Sequence, residues 1–253
     1  MTKLAVLRAN HASVRRWWRF VLVDPEIDSF TYAISNRDEL AVVLGELVDR
    51  PAEEIKVRLG ETDTDPLLQR ARRQPLRRRW WVKSRQPLHG ILLAHWAIIR
   101  TLQPARVVET GVLDGTGSTV MLAALERNAR EQAGGELVSI DVLPGAGALV
   151  PNWLRTRWTL ITGDSVSALG QAMAGEPVGY FTSDSLRDVD HIAAELAAVL
   201  GNATDAIVAS TVWGDLPVFD DDHMRVLHFQ DKPIDHFWRG RTLAFARPIH
   251  PED

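Results

Sequence analysis

The chain has 253 residues, 45% of them hydrophobic and 25% charged, an ordinary balance that leaves room for one large α/β domain with a helical attachment. A formal net charge of −4 gives no reason to expect general nucleic-acid binding, and the absence of cysteine excludes a disulfide scaffold and a thiolate metal site. No run of about 18 apolar residues reads as a membrane span and no signal-peptide pattern opens the chain, so the expectation is a cytoplasmic, enzyme-sized protein.

Residues 1–104 lack a strand–helix alternation. His11 to Val23 reads as a helix with Val14, Trp17, Trp18 and Val21 on one face. Phe30 to Ile34 suits a short strand or a turn. Asn36-Arg37-Asp38-Glu39 has the form of a capping box, followed by a periodic run through Leu40, Val43, Leu44 and Leu47. Pro51 and Pro66 each suit a helix start, the first with Ile55, Val57 and Leu59 as its apolar members. Residues 1–85 therefore read as a small helical N-terminal region, a lid, substrate wall or dimer contact. Its tryptophan pairs, Trp17-Trp18 and Trp80-Trp81, are expected chiefly to pack.

Between Arg70 and Arg85, eight of sixteen residues are Arg or Lys. The plainest reading is a solvated helix face paired with Glu53, Glu54, Glu61, Asp63 and Asp65. Two alternatives are a site for an anionic substrate and an RNA contact with Trp80 and Trp81 as stacking surfaces.

From residue 86 a regular alternation begins. Gln86 to Gly90 is a loop, and Ile91 to Leu102 an apolar helix ending before Pro104. Such a helix packs on the sheet and brings the loop at 86–90 to the mouth of a ligand site. Strands are expected at about 105–110, 137–140, 158–162, 178–181, 206–209, 225–229 and 242–246, the last two joined by a loop at 230–241. Helices fall at about 118–132, 165–174 and 188–200. This is an α/β pattern, a doubly wound, seven-stranded, mostly parallel sheet.

The stretch Arg106-Val107-Val108-Glu109-Thr110-Gly111-Val112-Leu113-Asp114-Gly115-Thr116-Gly117-Ser118 is the corner around which the rest is organised. Its apolar start suits a buried parallel strand, its glycines let backbone approach a ligand, and Ser118 suits the first turn or N-cap of the next helix. The glycines are spaced four and then two apart, which is not the dinucleotide fingerprint. Glu109 sets the charge: an acid there repels pyrophosphate and attracts an ammonium. S-adenosylmethionine, with an ammonium, a sulfonium and an adenosine, fits that pattern.

The stretch resembles motif I of the class I S-adenosylmethionine-dependent methyltransferases, which have a Rossmann-like fold. More narrowly, residues 107–118, 135–141, 149–151, 160–165, 180–185 and 191–196 look like the macrocin-O-methyltransferase-like, or methyltransferase-24, bacterial group, a resemblance covering about 86–247. It implies that 86–253 is an S-adenosylmethionine-binding domain and that the acceptor is a small molecule, such as a sugar or secondary-metabolite hydroxyl. No membrane partner is implied, nucleic acid is disfavoured, and a homodimer stays open.

Ligands in such sheets bind outside the carboxyl ends of the strands, where Glu109, Asp141, Asp164 and Asp184 each follow one of the first four. Glu109, Thr110, Gly111, Gly115, Gly117 and Ser118 are expected among the cofactor contacts, Glu109 at its ammonium. Asp141 is expected at the ribose, Asp164 at the adenine amino group and Asp184 beside the methyl group, with Val142, Gly163 and Ser165 as further cofactor contacts. Arg187 and Trp213 are candidate substrate contacts.

The sequence departs from the resemblance at the usual metal site. Relatives commonly continue Asp-His where Leu186 and Arg187 stand, and have Asp-Asp or Asp-Asn where Ser210 and Thr211 stand. A hard divalent cation wants several oxygen ligands, so no catalytic metal is expected. The same changes remove the usual histidine base. The remaining base candidates are Asp184, best placed, and His89, with a pKa nearer neutrality, followed by Asp188 and His223. A neutral amine acceptor would need no strong base. Two other classes stay open, a non-catalytic protein of the same fold and an NAD-dependent oxidoreductase, the latter disfavoured by Glu109 and the glycine spacing.

Overall fold

A computed structural model of the chain describes residues 32–72, 87–186, 188–203, 205–212, 224–234 and 240–249. The first elements are helices α1 (Arg37–Val48), α2 (Ala52–Thr64) and α3 (Pro66–Ala71). Pro51 and Pro66 stand at the openings of α2 and α3, and the Asp65 carboxylate caps α3 by accepting from the Leu67 and Leu68 N–H groups, each at 2.9 Å. Ile55 and Leu59 are buried one turn apart, but Val57 is 65% exposed, because two residues along a helix is the opposite face.

The expected capping box does not form. Asn36 makes no side-chain cap; its amide donates to Glu39 at 3.0 Å and to the Gln230 carbonyl at 2.9 Å, and accepts from the Lys232 N–H at 3.0 Å. A tertiary contact with the far end of the chain has taken the side chain that would cap the helix. Glu53 pairs with Lys56, Glu61 with Arg58 and Arg100, Asp63 with Arg37 and Asp65 with Arg127. Arg70 lies over the Trp153 ring at 4.6 Å. Arg72 stands at the end of α3; the basic run from Arg73 onward, the helix expected at 11–23 and both tryptophan pairs lie outside the described residues.

Helix α4 (Gly90–Leu102) is buried nearly all round, as its unbroken apolar run requires. Its one buried cation, Arg100, meets Glu61 at 3.0 Å, Glu131 at 2.9 Å and the Asn128 amide oxygen. Only such full pairing makes a charge tolerable there. Then follow β1 (Arg106–Thr110), α5 (Thr116–Arg130), β2 (Glu136–Asp141), a 3-10 turn (Asn152–Arg157), β3 (Trp158–Thr162), α6 (Ser165–Ala172), β4 (Val178–Ser183), α7 (Val189–Leu200), β5 (Ile207–Val212), β6 (Met224–Gln230) and β7 (Thr242–Pro248). Helix α5 starts before the expected residue 118 because Gly115, at φ +88°, ends the turn and leaves Ser118 inside the first turn.

The seven strands form one sheet in the order β3-β2-β1-β4-β5-β7-β6. The first five are parallel and β7 runs antiparallel to both neighbours. Residue alternation divides the core. Val107, Leu137, Tyr180, Ile207 and Phe245 pack with α4 and α5 on one face; Val108, Val138, Phe181, Val208 and Ala244 pack with the α6–α7 side on the other. This is the doubly wound arrangement expected. Because β1 lies between β2 and β4, the order in which strands are added reverses beside it, and such sheets open a crevice at the carboxyl ends there. No described helix is long and apolar enough to cross a membrane.

Candidate functional site

A cavity of about 960 Å³ opens at that crevice, over the carboxyl ends of β1, β2, β3 and β4. Small-molecule sites span roughly 300–1,000 Å³, so it has the size for a large ligand or for two smaller ones. Glu109, Gly111, Gly117, Asp141, Val142, Gly163, Asp164, Ser165, Asp184 and His89 all line it.

The floor is built on Gly111. Its N–H donates to the Ile140 carbonyl and the Asp184 N–H to the Thr110 carbonyl, each at 2.9 Å, tying β1 to both neighbours. Gly111 has φ +82°, and a Cβ there would lie 2.3 Å from the Asp184 carbonyl oxygen, so only glycine fits. The glycine loop is then pinned by Asp141. One carboxylate oxygen accepts from the Val112 and Leu113 N–H groups at 2.8 and 2.9 Å; the other accepts from Leu143 at 2.8 Å. A carboxylate has about four acceptor positions, so Asp141 reaches the cavity with about one left.

Glu109 is 4% exposed. Its Oε2 accepts from the Ser118 hydroxyl at 2.6 Å and the Ser139 hydroxyl at 2.7 Å, and Trp158 donates to Ser139 in turn at 2.9 Å. Oε1 looks toward Gly117, where a Cβ would lie 3.3 Å from it. Burial pushes this carboxyl up to about 7, helped by the charges of Asp184 and Asp141 and opposed by the two serine hydroxyls. A positive ligand group beside it would reverse that shift.

Asp164 is exposed and caps α6, accepting from the Ser167 N–H at 2.9 Å and the Ser167 hydroxyl at 2.7 Å. Those bonds hold its carboxyl below the usual range. Asp184 is exposed at the end of β4, and the Thr211 hydroxyl donates to it at 2.7 Å. Asp188 caps α7 by accepting from the His191 N–H at 3.1 Å.

Three expected contacts stand behind the wall instead of on it. Gly115 packs against Gly147, where a Cβ would lie 2.7 Å from the Gly147 Cα. Ser118 spends its hydroxyl on Glu109, and Thr110 turns its hydroxyl away to Glu195 at 3.0 Å. Arg187, Trp213 and His223 lie outside the described residues.

Glu195 is the residue that sequence reasoning missed. It is fully buried and accepts from Thr110, from the Ser183 and Ser185 hydroxyls at 2.6 Å each, and from Ser165. His191, one turn earlier, reaches it at 3.2 Å and Ser165 at 2.9 Å. One carboxylate thus binds the ends of β1 and β4 and the start of α6. Its signal was an acid four residues after a histidine on the apolar face of a predicted helix. The exposed apolar side chains Leu113, Leu143 and Leu186, which line the cavity with Val142, were also missed.

The far wall is formed by Pro87, His89, Ile91, Leu92, His95 and Arg241. His89 and His95 are buried. Burial, with lesser contributions from Arg241 and His95, holds the His89 imidazole well below its ordinary value; burial lowers His95 to about 3. His95 Nδ1 and the Tyr180 hydroxyl are 2.7 Å apart. Both rings are therefore neutral at pH 7. Among the described residues, no three His, Asp or Glu side chains are grouped to hold a metal ion.

The sequence over 108–208 matches the family described as "Methyltransferase domain". Among solved structures, the chain is similar to the O-methyltransferase TomG from Streptomyces achromogenes, involved in tomaymycin synthesis and solved with SAM. That match has 14% identity over 77% of this chain and 96% of that one, with a TM-score of 0.52. A Klebsiella pneumoniae protein, described only provisionally as an O-methyltransferase, matches at 16% identity over 76% and 96%, with a TM-score of 0.53. These likenesses establish the fold. A search of curated proteins finds no match to the sequence.

Proposed function

We propose that the chain is an S-adenosylmethionine-dependent methyltransferase acting on a small molecule, in the first place on a hydroxyl of a sugar or secondary metabolite. Glu109 is the observation that carries this reading. A carboxylate nearly sealed from water, half satisfied by two serine hydroxyls and with its other oxygen turned to a bare glycine, is suited to an ammonium and hostile to a pyrophosphate. The cofactor, when bound, supplies a methyl carbon activated by its sulfonium.

The chain's own residues bind and align. Glu109 meets the ammonium, and Asp141 offers its remaining acceptor position to one ribose hydroxyl. Asp164 and the exposed Val142 and Leu143 take the adenine, one by its amino group and the others by its faces. Gly163 and Ser165 form that edge, while Thr110, Gly115 and Ser118 hold the loop from behind. Asp184, fixed by Thr211, stands where the acceptor proton is lost; His89 is the second candidate, weakened as a base by its low pKa. In-line displacement asks mainly for alignment, which such a rigid rim supplies.

The reaction is metal-independent on this reading, because Leu186, Ser210 and Thr211 supply no carboxylate beside Asp184. The finer kinship is with the macrocin-O-methyltransferase-like group, residues 86–253 form the cofactor-binding unit, 1–85 are a helical region serving as lid, substrate wall or dimer contact, and the setting is cytoplasmic. The same missing acids favour a second reading, a cofactor-binding protein without turnover. Incubation with methyl-labelled S-adenosylmethionine and a panel of hydroxylated and amino metabolites separates the two. Any labelled product rejects the second reading, whereas cofactor binding with no product across the panel rejects the first.

A further inference from the structure

The two sides of the cavity differ in how their polar groups are spent. Behind the far wall they are joined to one another: the buried Asp231 carboxylate accepts from the Tyr32 hydroxyl at 2.7 Å, and that hydroxyl accepts from the Arg241 N–H at 3.0 Å. At the opposite edge, where α6 and α7 begin, two acceptor atoms are left over. One of them belongs to His191.

His191 lines the cavity together with Gly163, Asp164 and Ser165. It stands in the first turn of α7, where its backbone N–H donates to the capping carboxylate of Asp188. Its Nε2 lies 2.9 Å from the Ser165 hydroxyl and 3.2 Å from Glu195 Oε1. Ser165 gives its single hydroxyl hydrogen to Glu195, so toward His191 it can only accept. The Glu195 carboxylate likewise accepts from Thr110, Ser183 and Ser185. In the neutral ring the hydrogen is therefore on Nε2, and Nδ1 carries the lone pair. Nδ1 has no hydrogen-bond partner among the described residues and is not sealed from solvent; the side chain is 18% exposed. The second acceptor is Asp164 Oδ1, since both bonds from Ser167 fall on Oδ2. Those bonds are the main cause of the lowered Asp164 carboxyl and the charge of His191 a lesser one, which reflects how near the two side chains are.

We propose that His191 is a specificity residue of the cofactor site, its Nδ1 accepting one hydrogen of the adenine amino group while Asp164 Oδ1 accepts the other. The inference rests on the methyltransferase reading and adds what the adenine edge discriminates. An exocyclic amino group has two N–H donors, and this edge holds two open acceptors, one next to Ser165 in the chain and one hydrogen-bonded to it. A 6-oxo purine turns an oxygen lone pair toward the same two atoms and is rejected. Glu195 acts one step back: it fixes the tautomer and orientation of the ring without touching the ligand.

The test titrates the full chain by calorimetry at pH 8 with S-adenosylhomocysteine and with S-inosylhomocysteine, whose purine has an oxygen in place of the amino group. Each hydrogen bond lost is worth about tenfold, so the unaltered protein is expected to prefer the adenine compound about a hundredfold. His191→Gln keeps a donor near the Nε2 position but no acceptor at that of Nδ1. It is expected to weaken S-adenosylhomocysteine about tenfold and leave S-inosylhomocysteine unchanged, which reduces the preference to about tenfold. His191→Asn puts its amide oxygen near the Nδ1 position and is expected to keep most of the preference. A preference below about tenfold in the unaltered protein overturns the proposal whether or not the variants fold. So does a preference that survives His191→Gln intact, a loss shared equally by both ligands in a His191→Gln protein that melts as the unaltered one does, or a preference lost in His191→Asn. Failure of S-adenosylhomocysteine itself to bind the unaltered protein overturns the methyltransferase reading instead.

Discussion

Cofactor binding is expected to release a proton, and Glu109 is the group that releases it. Its carboxyl sits at about 7, against an ordinary 4.5. The folded chain therefore holds that proton more tightly than the unfolded chain does. The contribution to stability is most favourable below pH 4.5 and falls as pH rises through 7, a total cost of about 3 kcal/mol. An ammonium beside the carboxylate favours its ionised form, so binding below pH 7 drives the proton out. Affinity for S-adenosylmethionine should rise about 20-fold from pH 5.5 to 7.5, then level until the ligand's own amine titrates near ~8. His95, lowered to about 3 by burial, stays neutral across this window, and burial likewise holds His89 well below its ordinary value. Calorimetry at pH 6 in two buffers of different ionisation enthalpy reads the proton directly. Glu109→Gln should flatten the pH profile and abolish the buffer dependence. A flat profile in the unaltered protein, or an unchanged slope in the variant, would refute the assignment of the ammonium to Glu109.

Glu195→Gln removes the charge that four hydroxyls converge on, and should lower stability by about 1–3 kcal/mol while weakening S-adenosylhomocysteine binding; thermal melts with and without ligand measure both. Gly111→Ala forces a Cβ onto the Asp184 carbonyl and should cost about 1–3 kcal/mol in denaturant unfolding, with cofactor binding lost. Asp184→Asn should cut kcat by roughly 10²–10⁴ with little change in cofactor affinity. Turnover should persist in EDTA; activity lost there and restored by Mg²⁺ would contradict the metal-free reading.

Much of the sheet was legible because buried parallel strands are short apolar runs set between helices, and Val107-Val108, Leu137-Val138 and Tyr180-Phe181 all announce themselves that way. A boundary shifted where a glycine overrode local preference, at Gly115, and a cap was lost where a tertiary contact took the side chain, at Asn36. The acids after strands one to four were equally visible, since strand ends define the crevice. Less visible was how much of their bonding the protein itself consumes. Asp141 spends three acceptor positions on backbone N–H groups, and Ser118 and Thr110 turn to Glu109 and Glu195. Those partners lie far apart in sequence, and no spacing rule reports them. Tyr32, Asp231 and Arg241 escaped for the same reason, being joined only by the packing of the chain's two ends against α4.

The most direct measurement is parallel calorimetric titration of the purified chain with S-adenosylmethionine, S-adenosylhomocysteine and NAD. Carboxylates at the strand ends should admit the first two with 1:1 stoichiometry and exclude the third, and Glu109→Gln should weaken S-adenosylmethionine binding. Saturable binding of NAD with neither sulfur compound bound would contradict the account at its root.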